Sequence, residues 1–340
     1  MCYSKRVLPV LRDGFERTVR YLRISLTDRC NYRCTYCMPE EGVDLSPKSE
    51  VLSFEEIERV AKIFLRLGVT QIRLTGGEPT VRRDLVVLVE RLSALGFEDL
   101  AMTTNGERLA ELAQPLRRAG LGRLNISLDS LSEKTFRTIT RRGNLSAVLD
   151  GIEAARAAGF TSTKLNVVAM GGVNDDEIPA LCRYAWDRDL IPRFIEFMPM
   201  SGGALFQSGT FLSAAQVRAH IEAEFGALVS ASLAPAGAGP ARYQQIRSGH
   251  YRDRRLGIIS AVTEPFCETC NRVRISSVGK LHTCLALDDE VDLRTPLRAG
   301  ASDEQLLALV SAAVRVKKEG HSFTSCGTGG PQRHMVAIGG

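Results

Sequence analysis

The chain has 340 residues, 44% of them hydrophobic and 24% charged, the profile of a soluble globular protein with a sizeable core. No apolar run approaches the ~20 residues that a membrane helix needs, and the run Val7 to Leu11, short and broken by Pro9, does not read as a secretory signal. The expected location is the cytoplasm. The net charge of +5, from 44 basic and 39 acidic residues, is dispersed along the chain; a nucleic-acid surface shows a concentrated basic stripe, so a small anionic substrate is expected instead.

From residue 20 to about 198 a short apolar strand, a turn and an amphipathic helix recur. Strands are predicted at 21–26, 70–75, 99–104, 122–127, 163–169 and 192–198, and helices at 53–67, 84–95, 107–119, 132–140 with 145–158, and 175–188. Ser53 with Glu56 forms a capping-box pattern, and Ser132 is a second N-cap. Strands alternating with helices imply right-handed crossovers and a parallel sheet. The fold class is α/β, an incomplete parallel barrel of six β/α units.

Strand parity adds a direction. Tyr21, Arg23 and Ser25 share one face, as do Gln71, Arg73 and Thr75, then Asn125 with Ser127 and Lys164 with Asn166. Strands covered by helices on both faces read apolar throughout. One polar face on strand after strand therefore predicts a wet interior that holds a charged ligand.

Nine cysteines in a reducing compartment point to metal or catalysis more than to disulfides. Cys30, Cys34 and Cys37 follow the first strand with the spacing C-x3-C-x2-C. On a helix the outer two would lie ~10.5 Å apart along the axis, so a small inorganic cluster requires a curled loop. A cubane iron–sulfur cluster takes four thiolates; three leave one iron open, which makes a chemical site of a structural one. A zinc knot or buried apolar cysteines is the competing reading, although no histidine lies nearby to complete a tetrahedral set.

Three further polar loops end strands, at Thr75–Pro79, Thr103–Gly106 and Ser127–Ser130. Ligands of parallel α/β folds sit at the carboxyl ends of strands. In the first of these loops Gly76 and Gly77 allow close backbone approach and Glu78 suits an ammonium. Residues 231–241, rich in Ala, Gly and Pro, read as a linker or flexible excursion. Beyond them short strands are predicted near 242–247, 256–262, 272–277 and 280–283, then a helix at about 302–318. The domain reading is 1–230 for the barrel and 231–340 for a C-terminal segment.

That segment holds Cys267, Cys270 and Cys284, a C-x2-C-x13-C set. A zinc ribbon stays open here, with His282 as its fourth ligand. Arg272 and Arg274 share one strand face, where a phosphate clamp is expected, with a solvated strand face as the competing reading. Cys2, Cys182 and Cys326 receive no role; Cys182 is expected in the core and Cys326 at the surface. The chain ends in Gly339 and Gly340, by composition a frayed tail.

The cysteine loop followed by Gly76–Pro79 resembles the radical S-adenosylmethionine (SAM) enzymes. With Tyr21–Arg29, Ile195–Pro199, Thr263–Cys267, Cys270–Arg274 and the Gly-Gly tail, the likeness narrows to the GTP 3′,8-cyclase family of molybdenum cofactor biosynthesis, from about residue 14 onward. The resemblance implies that Cys30, Cys34 and Cys37 hold a [4Fe–4S] cluster whose open iron binds SAM, the source of a 5′-deoxyadenosyl radical. Tyr36, Gly77, Ser127 and Met198 match SAM contacts. Cys267, Cys270 and Cys284 match ligands of a second [4Fe–4S] cluster that faces guanine. Arg23, Arg73, Thr104, Lys164, Arg272, Val273 and Arg274 match GTP contacts, and Arg193, on the opposite parity from Met198, joins them. Arg23, Arg272, Arg274, Gly339 and Gly340 are the expected catalytic set. The radical would take hydrogen from C3′ of GTP, and the ribose carbon would then bond to C8. Implied partners are a flavodoxin or ferredoxin reductant and the next pathway enzyme, cyclic pyranopterin monophosphate synthase, with the chain a homodimer or monomer. A twin-cluster enzyme acting on a peptide and a non-catalytic electron-transfer protein are the alternatives.

Overall fold

The computed structural model describes residues 10–233, 235, 237 and 239–339. Cys2 and Gly340 lie outside the described residues. β1 (Tyr21–Ser25) leads to α1 (Phe54–Arg66), β2 (Gln71–Thr75), α2 (Leu85–Ser93), β3 (Asp99–Thr104), α3 (Leu109–Arg118) and β4 (Arg123–Ser127). Helices α4 (Glu133–Thr140) and α5 (Leu145–Ala157) precede β5 (Lys164–Ala169), α6 (Ile178–Trp186) and β6 (Ile191–Glu196). The six strands pair in parallel and in chain order.

Local chemistry explains the helix starts. Ser53 accepts from the Glu56 N–H while the Glu56 side chain accepts from the Ser53 N–H, satisfying two orphan donors at once. Ser132 accepts from the Thr135 N–H at the start of α4. The apolar strand parity packs outward: Leu22, Ile24, Ile72 and Leu74 are fully buried with Ile57, Val60 and Phe64 of α1. The other parity is left to face the barrel interior.

The second part of the chain contributes α7 (Ala214–Phe225), β7 (Leu228–Ser230), β8 (Arg242–Ile246), β9 (Arg255–Ile259), β10 (Arg272–Ile275), β11 (Lys280–His282) and β12 (Val291–Asp292). Helices α8 (Arg294–Arg298), α9 (Asp303–Arg315) and α10 (Met335–Ile338) complete it. These strands join the same sheet, at both ends of the barrel strands. The order is β12-β11-β10-β1-β2-β3-β4-β5-β6-β9-β8-β7. β10 lies parallel to β1, and β9 parallel to β6. The arc does not close, since β12 and β7 are its two edges. No helix among the described residues is long and apolar enough to cross a membrane.

Several elements are not expected from the sequence: β7, β12, α8 and α10 are short, and the longer α7 and the stretch at 231–241 matter most for the site. α7 has no counterpart among the helices expected from the sequence, although Ser213 and Gln216 form a second capping box. The stretch read as a flexible excursion instead folds in part against the barrel: Pro235 is buried, and Gly237, Gly239 and Pro240 line the central cavity. A Cβ at Gly237 would overlap the Arg123 guanidinium, which shows how closely that stretch is seated.

Candidate active site

The barrel interior holds a cavity of about 250 Å³. At its rim Cys30, Cys34 and Cys37 sit in a loop that follows β1, with all three thiols lining the cavity. The loop is not helical, in keeping with the axial separation that a helix would impose. The Cys37 and Met38 N–H groups both turn back to the Cys34 carbonyl, at 2.9 and 3.2 Å. Arg33 donates to the carbonyls of Cys30 and Tyr32, both at 2.8 Å. Arg141, just past α4, donates to the carbonyls of Arg33 and Met38. Tyr32 stacks edge-on against Phe136, 6.2 Å between centroids. The thiols are thus presented by a braced loop.

Glu78 is the hub behind them. Its Oε1 accepts from the Thr80 N–H, the Thr80 hydroxyl and the Thr104 hydroxyl, and Oε2 from the Asn105 N–H, all within 3.0 Å. The carboxylate expected to suit an ammonium therefore ties two strand-end loops together. Thr104 also lines the cavity, with its hydroxyl committed to Glu78. The Tyr36 hydroxyl donates to Asp129 Oδ2 at 2.8 Å, and the Val168 N–H to Oδ1 at 2.8 Å. Burial holds the Asp129 carboxyl up at about 6 against these bonds. Ser127, Gly77 and Met198 complete this side of the cavity.

The deciding feature lies on the strands. Register pairs Arg274 of β10 with Arg23 of β1, and Arg23 with Arg73 of β2. Three guanidinium side chains thus leave one rung of three neighbouring strands, ~4.8 Å apart, and all three line the cavity. Like charges opposite one another on one face destabilise a sheet. Arg193, paired in register with Asn166, and Arg272, opposite Tyr21, add two more. Among the described residues none of the five has a carboxylate partner. Arg73 is held by the Tyr21 hydroxyl through a short contact, and Arg193 by Asn166 Oδ1 at 2.9 and 2.6 Å. Arg274 Nη1 donates to the Gly339 carbonyl of the C-terminal tail at 3.0 Å.

Arg23 is the extreme case. Among the described residues its buried Nε has no hydrogen-bond partner, and neither has Asn125 Oδ1 on the same cavity wall. Burial, then Arg274, depresses the Arg23 pKa well below the guanidinium range. Burial, then Arg272, brings Arg274 down to about 10. A fold that buries this much unbalanced positive charge is completed by an anion.

Lys164 and Val273 do not line the cavity. Lys164, on the same strand face as the cavity-lining Asn166, is fully buried, and Val273 takes the opposite parity from its two arginine neighbours and packs in the core. The tail does reach in: Met335 and Val336 line the cavity, and a Cβ at Gly339 would run into Thr75 Oγ1. Gly339 has φ +69°, where glycine is favoured.

Cys267, Cys270 and Cys284 lie just beyond the cavity; their neighbours Phe266, Arg272 and Leu285 line it. The three thiols are close enough to act on one another electrostatically. Burial works to raise Cys270, but Arg272 and Lys317 outweigh it and bring the thiol to about 7. In the first set burial dominates and pushes Cys30 and Cys37 up to about 12. His282 faces Arg333, 2.5 Å from Nδ1 to the guanidinium, which leaves it poorly placed as a zinc ligand. Among the described residues no three His, Cys, Asp or Glu side chains converge on a single metal ion. Soft thiol donors in two sets of three, the second beside Arg272 and Lys317, fit iron–sulfur clusters by donor chemistry. Cys182 is in the core and Cys326 is exposed.

Residues 24–185 match the Radical SAM superfamily, and residues 191–323 match Molybdenum Cofactor Synthesis C. A relative from Heliobacterium modesticaldum named GTP 3′,8-cyclase is 45% identical, over 96% of this chain and 99% of its own. Another of that name, from Marinobacter nauticus, is 46% identical over 97% and 98%. The chain belongs to the GTP 3′,8-cyclase family. Its fold is that of radical SAM enzymes: the structure of Streptococcus suis SuiB bound to S-adenosylmethionine superposes with a TM-score of 0.61 at 14% identity, over 86% of this chain and 68% of that one.

Tyr21 and Glu196 make contacts at the site that motif reading missed. Tyr21 was visible on the polar parity as an aromatic and is the partner of Arg73. Glu196, inside the family stretch Ile195–Pro199, accepts from the N–H groups of Ala214, Val262 and Thr263 at 2.8, 2.8 and 3.0 Å. It thereby fixes the approach to Cys267.

Proposed function

We propose that this chain converts GTP to (8S)-3′,8-cyclo-7,8-dihydroguanosine 5′-triphosphate, the first step of molybdenum cofactor biosynthesis, in the cytoplasm. The observation that carries the reading is the arginine rung Arg274–Arg23–Arg73, without carboxylate partners among the described residues, between two sets of three thiols. A triphosphate supplies the missing charge through charge-assisted hydrogen bonds. Peptide substrates would give no reason for that rung.

Cys30, Cys34 and Cys37 would hold one [4Fe–4S] cluster and Cys267, Cys270 and Cys284 the other, with residues 1–230 serving the first and 231–340 the second. When bound, the first cluster with SAM supplies a hydrogen-abstracting radical by one-electron reduction, the hard chemistry that a protein leaves to its cofactors. The chain's own residues do the rest. Arg23, Arg73 and Arg274 fix the triphosphate, and Arg193 and Arg272 flank it. Lys164, lowered to about 6 by burial, takes up a proton beside them only when a bound anion offsets the surrounding arginines. Thr104 and Val273 act through the loops and backbone that shape this seat. Tyr36, Gly77, Ser127 and Met198 form the wall where SAM would lie. The tail, reaching the cavity through Met335, Val336 and Gly339, would exclude water from the reacting ribose. A flavodoxin or ferredoxin is the reductant, and cyclic pyranopterin monophosphate synthase receives the product.

The test is anaerobic incubation of reconstituted protein with SAM, GTP and dithionite, with products separated by chromatography. Absence of 5′-deoxyadenosine would sink the radical reading. Its formation without loss of GTP would sink the cyclase. Cys34→Ala is expected to abolish SAM cleavage, and Cys270→Ala to retain some cleavage without cyclised product.

A further inference from the structure

The segment after α9 inverts the usual polarity. Val316 is 72% exposed, while the next residue, Lys317, is 3% exposed. Burying an ammonium is costly unless opposite charge or several acceptors receive it. Among the described residues Lys317 has no carboxylate partner. Its Nζ donates to the Arg272 carbonyl at 3.3 Å and, through a short contact, to the Thr283 carbonyl.

Both carbonyls belong to the second thiol site. Arg272 stands two residues after Cys270, and Thr283 directly precedes Cys284. The β10–β11 ladder ends at the pair Arg274 and His282. Past that pair, the ammonium ties the two strand ends. Cys267 is secured differently: Arg17 donates to its carbonyl at 2.8 Å. The Arg17 charge is balanced by Asp13 at 2.6 Å; that of Lys317 is not balanced by any described carboxylate.

We propose that Lys317 is a positioning residue of the second thiol site: its ammonium fixes the strand ends that carry Cys270 and Cys284, and offsets the negative charge of the thiolates once they hold iron. This rests on the reading of that site as a cluster site.

The test uses the full chain with Cys30→Ala, Cys34→Ala and Cys37→Ala, so that the second site alone binds iron. Iron and sulfide per chain are counted, and the midpoint potential is read by EPR-monitored titration. Lys317→Met removes donors and charge, Lys317→Gln keeps a donor without charge, and Lys317→Arg keeps both. The Met variant is expected to lose most of the iron. The Gln variant retains iron and titrates at a more negative potential, and the Arg variant stays near the parent. A Gln variant that loads no iron while Arg loads fully upholds the proposal too. Equal potentials in parent and Gln variant, or an Arg variant that fails as Met does, would overturn it. A parent that takes up no iron would overturn the cluster reading, and this proposal with it.

Discussion

Gly77→Ala tests how the cysteine loop is placed. Gly77 has no left-handed φ, so its requirement is spatial rather than conformational. A Cβ there would press into the Arg29 carbonyl oxygen, 2.7 Å from the carbon of that carbonyl and 2.9 Å from the Asp28 oxygen. Real Cβ contacts stay beyond 3.0 Å, so one backbone must retreat. The two stretches of chain are joined by hydrogen bonds from Gly77 N–H to Thr27 (2.6 Å) and from Glu78 N–H to Arg29 (2.8 Å). Retreat therefore strains these bonds and drags the residue before Cys30. Overpacking of this kind costs ~1–3 kcal/mol, and a displacement on the order of 1 Å at a reacting centre costs about 10²-fold in rate. Three measurements apply: thermal melting, iron per chain with the second-site cysteines replaced by Ala, and 5′-deoxyadenosine formation. Gly171→Ala is the control, because its nearest neighbour is 3.8 Å away. A Gly77→Ala protein with the melting point, first-site iron and SAM cleavage of the parent would refute the reasoning.

Three further outcomes are expected. Burial, reinforced by Arg123, Arg193 and Arg73, lowers Lys164 to about 6, below its unfolded value of 10.5. The unfolded chain then binds more protons between these values, so stability rises with pH across that window and falls as pH drops toward 6; Lys164→Met is expected to flatten the slope in urea titrations of the iron-free protein. Glu196→Gln sets an amide NH₂ against backbone donors and should cost ~2–4 kcal/mol, read as a lower denaturation midpoint. Deleting Gly339 and Gly340 removes the bond to Arg274 and is expected to lower turnover far more than melting temperature; a large melting drop would count against a catalytic tail.

Much of this site was legible because period-2 alternation is local. Arg23, Arg73 and Asn125 could be placed on the cavity face from strand parity alone, and the cavity lining agrees with that parity. The capping box at Ser53 and the loop form of Cys30–Cys37 were readable for the same reason. What could not be read was pairing at long range. Nothing in residues 272–275 says that they lie beside residues 21–24, because any apolar-alternating strand could take that edge. Lys317 escaped for another reason. Composition assigns a lysine to solvent and a valine to the core, and only carbonyls brought together from Arg272 and Thr283 reverse the assignment.

That long-range pairing is also what joins the two halves of the chemistry. β10 begins two residues after Cys270 and lies in register with β1, which ends just before the Cys30 loop. One strand pair therefore connects both thiol sets, and Arg23 and Arg274 stand opposite each other on it. A movement of β10 against β1 would shift the second thiol site and the phosphate clamp together, relative to the first cysteine loop. An anion bound between Arg23 and Arg274, as proposed for the triphosphate, would relieve their repulsion and stabilise the alignment of the two sites, so that proposal also predicts coupling of substrate binding to the reacting geometry through a single strand interface.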